Sequence, residues 1–185
     1  MTSPEQPYRV PENAQVRLKD GRTALIRRST VADAEAIMDY INVVGPGSRF
    51  ILAGRATWTL EEERQTLAAA DGKESVSYLA EISGRISGMI NLWRGKFPKT
   101  AHVASFGMGC APDCTGIGLG TALLSQGIDW ARSAGVCKLA MGVFASNDRA
   151  IALYRKMGFA EEGRLRGQFM LDGELIDEIR MALWF

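Results

Sequence analysis

The stretch Thr115-Gly116-Ile117-Gly118-Leu119-Gly120-Thr121 constrains this chain more than any other. It follows an apolar, strand-like run and opens at once into a helical pattern, so it is a strand-to-helix turn crowded with residues that lack a β-carbon. Backbone can approach a ligand closely there. The first-turn N–H groups of the new helix have no intrahelical partners and point outward, which makes the turn a ready site for a phosphate or pyrophosphate.

The pattern around the turn sets the fold class. Val16-Arg17-Leu18 and Ala24-Leu25-Ile26-Arg27 flank Lys19-Asp20-Gly21-Arg22 as strand, turn and strand. Ser29 or Thr30 caps a helix with Ala34, Ile37, Met38 and Ile41 at helical spacing, and Gly45-Pro46-Gly47 is expected to stop it. Thr59 and Glu62 form a capping box at the head of a second helix, from Trp58 to Ala70. The periodicity then changes to two. Val76–Ile82 and Ile86–Trp93 read as a hairpin about Ser83-Gly84-Arg85, and His102 to Cys110 is the next strand. After the glycine turn come a helix from about Gly118 to Ala134, a strand at Lys138–Val143 and a helix from about Asp148 to Met157. Gly163–Leu171 and Glu174–Trp184 close the chain as a hairpin about Asp172-Gly173.

Antiparallel strands therefore precede one strand–helix–strand unit, which must be parallel, and follow it again. The expected fold is α/β in the α+β sense, a mixed and mostly antiparallel sheet of about seven strands flanked by helices. Residues 1–15 read as a flexible tail and 16–185 as one domain.

Composition narrows the function. With 46% hydrophobic residues in 185, the chain can bury a sizeable core. A net charge of +1, from 22 basic and 21 acidic residues, argues against nucleic acid and anionic membranes as partners. No apolar run approaches a bilayer span, and the opening MTSPEQPYRVPENAQ lacks the pattern of a signal peptide, so a cytoplasmic protein is expected. Cys110, Cys114 and Cys137 share the chain with a single histidine, His102, which gives no metal-ligand spacing and no basic partner for a reactive thiol.

Two familiar phosphate loops fail on the glycine turn. A nucleotide P-loop needs Lys followed by Ser or Thr after its last glycine, and Thr121-Ala122 stands there. The dinucleotide fingerprint needs Gly-x-Gly-x-x-Gly, and the spacing here is Gly116-Ile-Gly118-Leu-Gly120. The stretch resembles instead the Arg/Gln-x-x-Gly-x-Gly/Ala motif of the GNAT acetyltransferase superfamily, with Cys110-Ala111-Pro112-Asp113-Cys114 similar to its Val-x-Pro-x-Tyr/Trp approach. A second, independent segment, Asn147 to Phe159, resembles the superfamily's Asn-x-x-Ala-x-x-x-Tyr-x-x-x-Gly-Phe. Two motifs in the right order, each on the expected element, extend the resemblance over most of the chain after Val16, and the C-terminal hairpin is similar to the subgroup of ribosomal-protein N-terminal and amino-acid acetyltransferases.

The resemblance implies an acetyl-coenzyme A-dependent N-acetyltransferase working by direct transfer, without a metal. Backbone of Thr115, Gly116, Ile117, Gly118, Leu119, Gly120 and Thr121 would hold the pyrophosphate, Met108, Gly109 and Cys110 would offer edge groups to the pantetheine, and Asn147 would bond the cofactor arm or cap its helix. The edge is free only if the strands ending near Cys110 and Val143 splay. Tyr154 would be the general acid for the leaving thiolate, since a phenol of pKa ~10 still holds its proton where a thiol of ~8.5 ionises; packing of its ring in the core is the competing reading. Thr115 replaces the arginine of the motif and removes one charge-assisted bond.

For the base the resemblance implies a glutamate on the strand before the glycine turn, and Ser105 stands in its place. Glu81 and His102 are the substitutes, each with a plain alternative as a solvated or structural side chain. Ordered water would serve an α-amine of pKa ~8. The acceptor is expected to be a primary amine of a small molecule or amino acid; a protein N-terminus or lysine is the alternative. A domain that only senses acyl-coenzyme A is the reading from another class. The resemblance also implies a homodimer.

Overall fold

A computed structural model describes residues 13–52 and 54–185. Among them, eight strands form one sheet in the order β1-β2-β3-β4-β5-β6-β8-β7. The strands are β1 (Asn13–Arg17), β2 (Thr23–Arg28), β3 (Ser75–Ile82), β4 (Arg85–Arg94), β5 (Val103–Cys110), β6 (Lys138–Phe144), β7 (Ala160–Leu171) and β8 (Glu174–Trp184). Every neighbouring pair is antiparallel except β5 and β6, which the helix between them makes parallel. Asn13–Gln15, expected in the tail, belong to β1, and residues 1–12 lie outside the described residues.

Four α-helices cover the sheet among the described residues: α1 (Ala34–Gly47), α2 (Leu60–Ala69), α3 (Leu119–Ser133) and α4 (Asp148–Lys156). The expected capping box opens α2, with the Glu62 N–H donating to Thr59 Oγ1 at 3.2 Å and the Thr59 N–H to Glu62 Oε2 at 2.7 Å. Gly45-Pro46-Gly47 does not stop α1 but forms its last turn. So near the end, the proline interrupts little of the hydrogen-bond ladder.

The two sheet faces differ in their covering. Ile90 and Leu92 of β4 meet α3 so closely that a β-carbon at Gly127 would touch both. On the same face Leu119, Leu123 and Leu124 of α3 are fully buried, as are Leu139 and Met181 on the sheet. Period-two alternation therefore sends Phe106, Met108 and Cys110 of β5 toward α3, and Ser105, Gly107 and Gly109 toward the opposite face. A β-carbon at Gly109 would meet Ile51 and, at 3.5 Å, the hydroxyl of Tyr40 on α1. No helix of the described residues is long and apolar enough to cross a membrane.

Candidate functional site

The site begins where the one parallel pair comes apart. β5 and β6 are in register only at Val103↔Lys138, Ala104↔Leu139 and Ser105↔Ala140. Beyond these, β5 stays paired to β4 as far as Cys110, and β6 stays paired to β8 as far as Phe144. The strands splay into an opening whose sides are backbone without a strand partner.

Hydrogen bonds at the strand ends fix which residues line it. Val103 C=O accepts from the Gly95 N–H at 2.9 Å and the Ala111 N–H donates to Ser87 C=O at 2.8 Å, so odd-numbered backbone groups of β5 face β4. Phe106, Met108 and Cys110 consequently turn their N–H and C=O groups to the opening, while those of Gly109 are directed at β4. On the other side, the Ala145 N–H donates to Asp177 C=O at 2.9 Å and Phe185 N–H to Cys137 C=O at 3.0 Å. Odd residues of β6 thus face β8, and Gly142 and Phe144 face the opening.

The glycine turn closes the mouth directly after Cys110. Gly118 is the N-cap of α3 at φ +98°, a backbone conformation that a side chain strains, and the first turn of α3 follows it with free N–H groups. The turn is braced from the first hairpin: the Lys19 N–H donates to Ile117 C=O at 3.0 Å, and Arg22 Nη2 donates to Asp113 C=O at 3.0 Å. Two cations border it. Arg149 Nη2 would be 3.4 Å from a β-carbon at Gly116, and the Lys19 stem 4.0 Å from one at Gly118. Arg149 lies inside the second motif, yet nothing in its spacing marked it as a neighbour of a turn more than thirty residues earlier. A glycine cradle with unpaired N–H groups and two flanking cations fits a pyrophosphate despite Thr115, whose hydroxyl is spent on Pro112 C=O at 2.8 Å.

Tyr154 reaches the same strand from α4. Its ring lies edge-on to Phe106 at 5.9 Å between centroids and tilts against Phe159 at 5.9 Å. Both readings of this tyrosine are thus compatible, with the ring in the core and the hydroxyl left without a hydrogen-bond partner among the described residues. Burial pushes its pKa up to about 12, with neighbouring Cys110 adding to the rise, so the hydroxyl is a donor at ordinary pH. The Cys110 thiol is likewise pushed up to about 12 by burial and by Cys114, against a small opposing pull from Arg149, and is not a thiolate nucleophile. Asn147 caps α4, its Oδ1 accepting from the Ala150 N–H at 3.2 Å, which leaves its amide NH2 for a ligand.

Neither substitute base faces the opening. Glu81 stands on β3, with β4 between it and β5, and is held by Arg27, which donates to it from Nε at 2.9 Å and also from Nη2. Arg27 is bound in turn to Asp33 at 2.9 Å and 2.6 Å. His102 is exposed at the closed end of the β5–β6 pair, where its C=O accepts from the Cys137 N–H at 2.9 Å. Ser105 lies at the last paired position, half-buried, beside Ala140. Among the described residues no cluster of His, Cys, Asp and Glu could hold a metal ion.

Among the described residues the sheet is split at its one parallel pair, with a glycine turn and the free N–H groups of a helix start at the mouth. The acetyltransferase (GNAT) family profile matches residues 48–159, and the chain belongs to that family. A solved acetyltransferase of the GNAT family from Streptococcus pneumoniae superposes with a TM-score of 0.84 at 26% identity, covering 88% of this chain and 99% of that one. A structure from Salmonella typhimurium solved with its cofactor acetyl-CoA superposes at 0.76 with 24% identity, over 86% and 92% of the two chains, and speaks for the fold alone. In sequence, the chain is 30% identical over 111 residues to spermidine N(1)-acetyltransferase of Escherichia coli strain K12. That match covers 58% of this chain and 57% of the relative, little more than half its length.

Proposed function

We propose that the protein is an acetyl-coenzyme A-dependent N-acetyltransferase that acts on a primary amine of a small molecule or amino acid. The observation that carries this reading is the opening itself, a strand edge left without a partner at Met108 and Cys110, beyond the last pair, that runs straight into the glycine turn. Pantetheine amides would pair along that edge like an added strand, and the N–H groups of the turn, with Arg149 and Lys19, would hold the phosphates. Residues 16–185 would act as one domain, and the reading includes a cytoplasmic setting and a homodimer.

Tyr154 is the donor to the departing sulfur. Its pKa of about 12 exceeds that of a thiol, ~8.5, so complete proton transfer from the resting phenol is uphill by roughly 5 kcal/mol. Its first contribution is therefore a hydrogen bond that strengthens as charge develops on sulfur. Backbone N–H groups of β5 supply the matching donors for the carbonyl oxygen.

Thiol release measured with acetyl-coenzyme A against a panel of small amines, amino acids and N-terminal peptides tests the reading. Acceleration by small amines or amino acids supports it, and acceleration by peptides alone moves the acceptor to a protein N-terminus or lysine. Tight acetyl-coenzyme A binding with no acceptor that accelerates release would overturn the enzyme and leave a sensor.

A further inference from the structure

On the face of the sheet that carries Ser105 and Tyr40, one carboxylate reaches the opening from an unexpected strand. Glu178 is paired across β8 and β6 with Phe144, and its carboxylate folds back over Gly142. A β-carbon at 142 would land on that carboxylate, so the glycine is what makes room for it. Gly142 is also one of the two β6 residues whose backbone faces the opening, two positions beyond the Ala140 that pairs with Ser105. The carboxylate thus overlies the rim of the slot, across it from Gly107.

Its surroundings are those of a site for a cation. The Glu178 side chain is 9% exposed, and its hydrogen-bond partner among the described residues is Arg180, whose Nη1 donates to Oε1 at 3.2 Å. Arg180 is itself 48% exposed, so the pair lies at the boundary between the buried carboxylate and solvent. Oε2 has no protein partner among the described residues. Phe144 beside it stacks on Phe169 at 3.9 Å and tilts on Phe50 at 5.7 Å, giving the rim aromatic walls. An ammonium group attached to an apolar body satisfies both features.

We propose that the Glu178 carboxylate receives the ammonium of the acceptor amine and takes its proton, in the role that a glutamate at the place of Ser105 would have played. This deepens the acetyltransferase reading and rests on it. The ammonium gives one proton to Glu178, which passes it to solvent. The freed nitrogen lone pair forms the C–N bond as the C–S bond breaks. The nitrogen sheds its second proton to Glu178, by then a carboxylate again, and so to solvent, while the sulfur gains one from Tyr154, which is restored from solvent. Donor and acceptor of protons then stand on opposite faces of the sheet, Tyr154 on the side of α3 and α4 and Glu178 on the side of α1.

The test compares the wild type with Glu178→Gln and Gly142→Ala, the second keeping both charges but moving the carboxylate. Phenethylamine, 1,4-diaminobutane and phenylalaninamide are titrated by calorimetry into protein saturated with coenzyme A. At least one of them is expected to bind the wild type and to bind both variants about tenfold more weakly or worse, with coenzyme A affinity unchanged in Glu178→Gln. For an amine that is turned over, kcat/KM of Glu178→Gln is expected to fall ~100-fold. Wild-type binding of none of the three, or variants that bind and turn over like the wild type, would overturn the proposal. Binding that depends on Glu178 without turnover of any of the three would keep the cation site, overturn the proton-taking role for these amines and remove the small-amine acceptor instead.

Discussion

The mouth of the opening and its rim on the α1 face are built in different ways. At the mouth, the groups that would meet a ligand are main-chain N–H groups of one continuous segment, and Gly118 at φ +98° is what permits their arrangement. At the rim, the side chains that stand nearest the opening come from separate strands, Ser105 on β5 and Glu178 on β8, with Gly142 on β6 leaving room for the carboxylate and Tyr40 above them on α1. Backbone chemistry is indifferent to most side chains, so a mouth of this kind can serve any acceptor. A rim made of side chains can change its specificity one residue at a time.

The largest expected effect strikes the mouth. Gly118→Val has room for its β-carbon, since the nearest atom to one there is 4.0 Å away, so the penalty comes chiefly from the backbone conformation. A β-branched residue at positive φ should pull the turn out of shape and weaken acetyl-coenzyme A binding ~100-fold or more, as measured by calorimetry. Retained affinity would show that the turn is not the phosphate cradle. Next in size is Tyr154→Phe, which keeps the ring against Phe106 and removes the donor. Here kcat should fall by ~10 to 100-fold while the dissociation constant for acetyl-coenzyme A changes less than about twofold. Unchanged kcat would confine this residue to core packing.

The mouth was legible in the sequence because a strand, a glycine turn and a helix follow one another without interruption between Val103 and Ser133. The hairpins were legible for the same reason: each turn dipeptide, Ser83-Gly84 and Asp172-Gly173, adopts positive φ at both residues, as a two-residue hairpin turn requires. The rim was not. Glu178 reads as one more acid in a charged hairpin, and only the register of β8 on β6 reveals that it lies over a glycine thirty-six residues earlier. Conversely, Glu81 and His102 were attractive in sequence because they flank the right strands, and the sheet order carries both away from the splay. The Gly45-Pro46-Gly47 triplet lies inside α1 rather than after it, because Pro46 forfeits one N–H bond in the last turn and the helix ends one residue later.

A smaller effect tests whether the second motif lends a cation to the first. Arg149→Ala should weaken acetyl-coenzyme A binding by about fivefold to tenfold, as befits one exposed charge-assisted contact, and the loss should shrink in high salt. Introducing arginine at Thr115 in the same protein should recover part of it, because that residue would then supply the missing charge from within the turn. No loss at low ionic strength would mean that backbone donors and Lys19 suffice.

The smallest effect on chemistry is expected from Glu81, one of the two substitute bases that the sequence offered. Glu81→Gln should leave kcat/KM within about twofold of wild type, since β4 separates Glu81 from the strand that lines the opening. Its cost should appear in stability, because Arg27 would lose one of its two carboxylate partners. The other partner gives that cluster a pH signature. Arg27 holds the Asp33 carboxyl down at about 2, below its ordinary value near 3.8, and burial opposes only part of this shift. A depressed folded-state pKa stabilises the native state above the unfolded value and stops doing so as pH falls through about 2. Asp33→Asn should therefore lower unfolding free energy by about 1–2 kcal/mol at neutral pH, and the gap to wild type should close between pH ~4 and ~2. Denaturant melts at several pH values would measure it. A Glu81→Gln variant that lost turnover in proportion to Glu178→Gln would instead tie this distant cluster to the rim and erase the distinction between the two carboxylates.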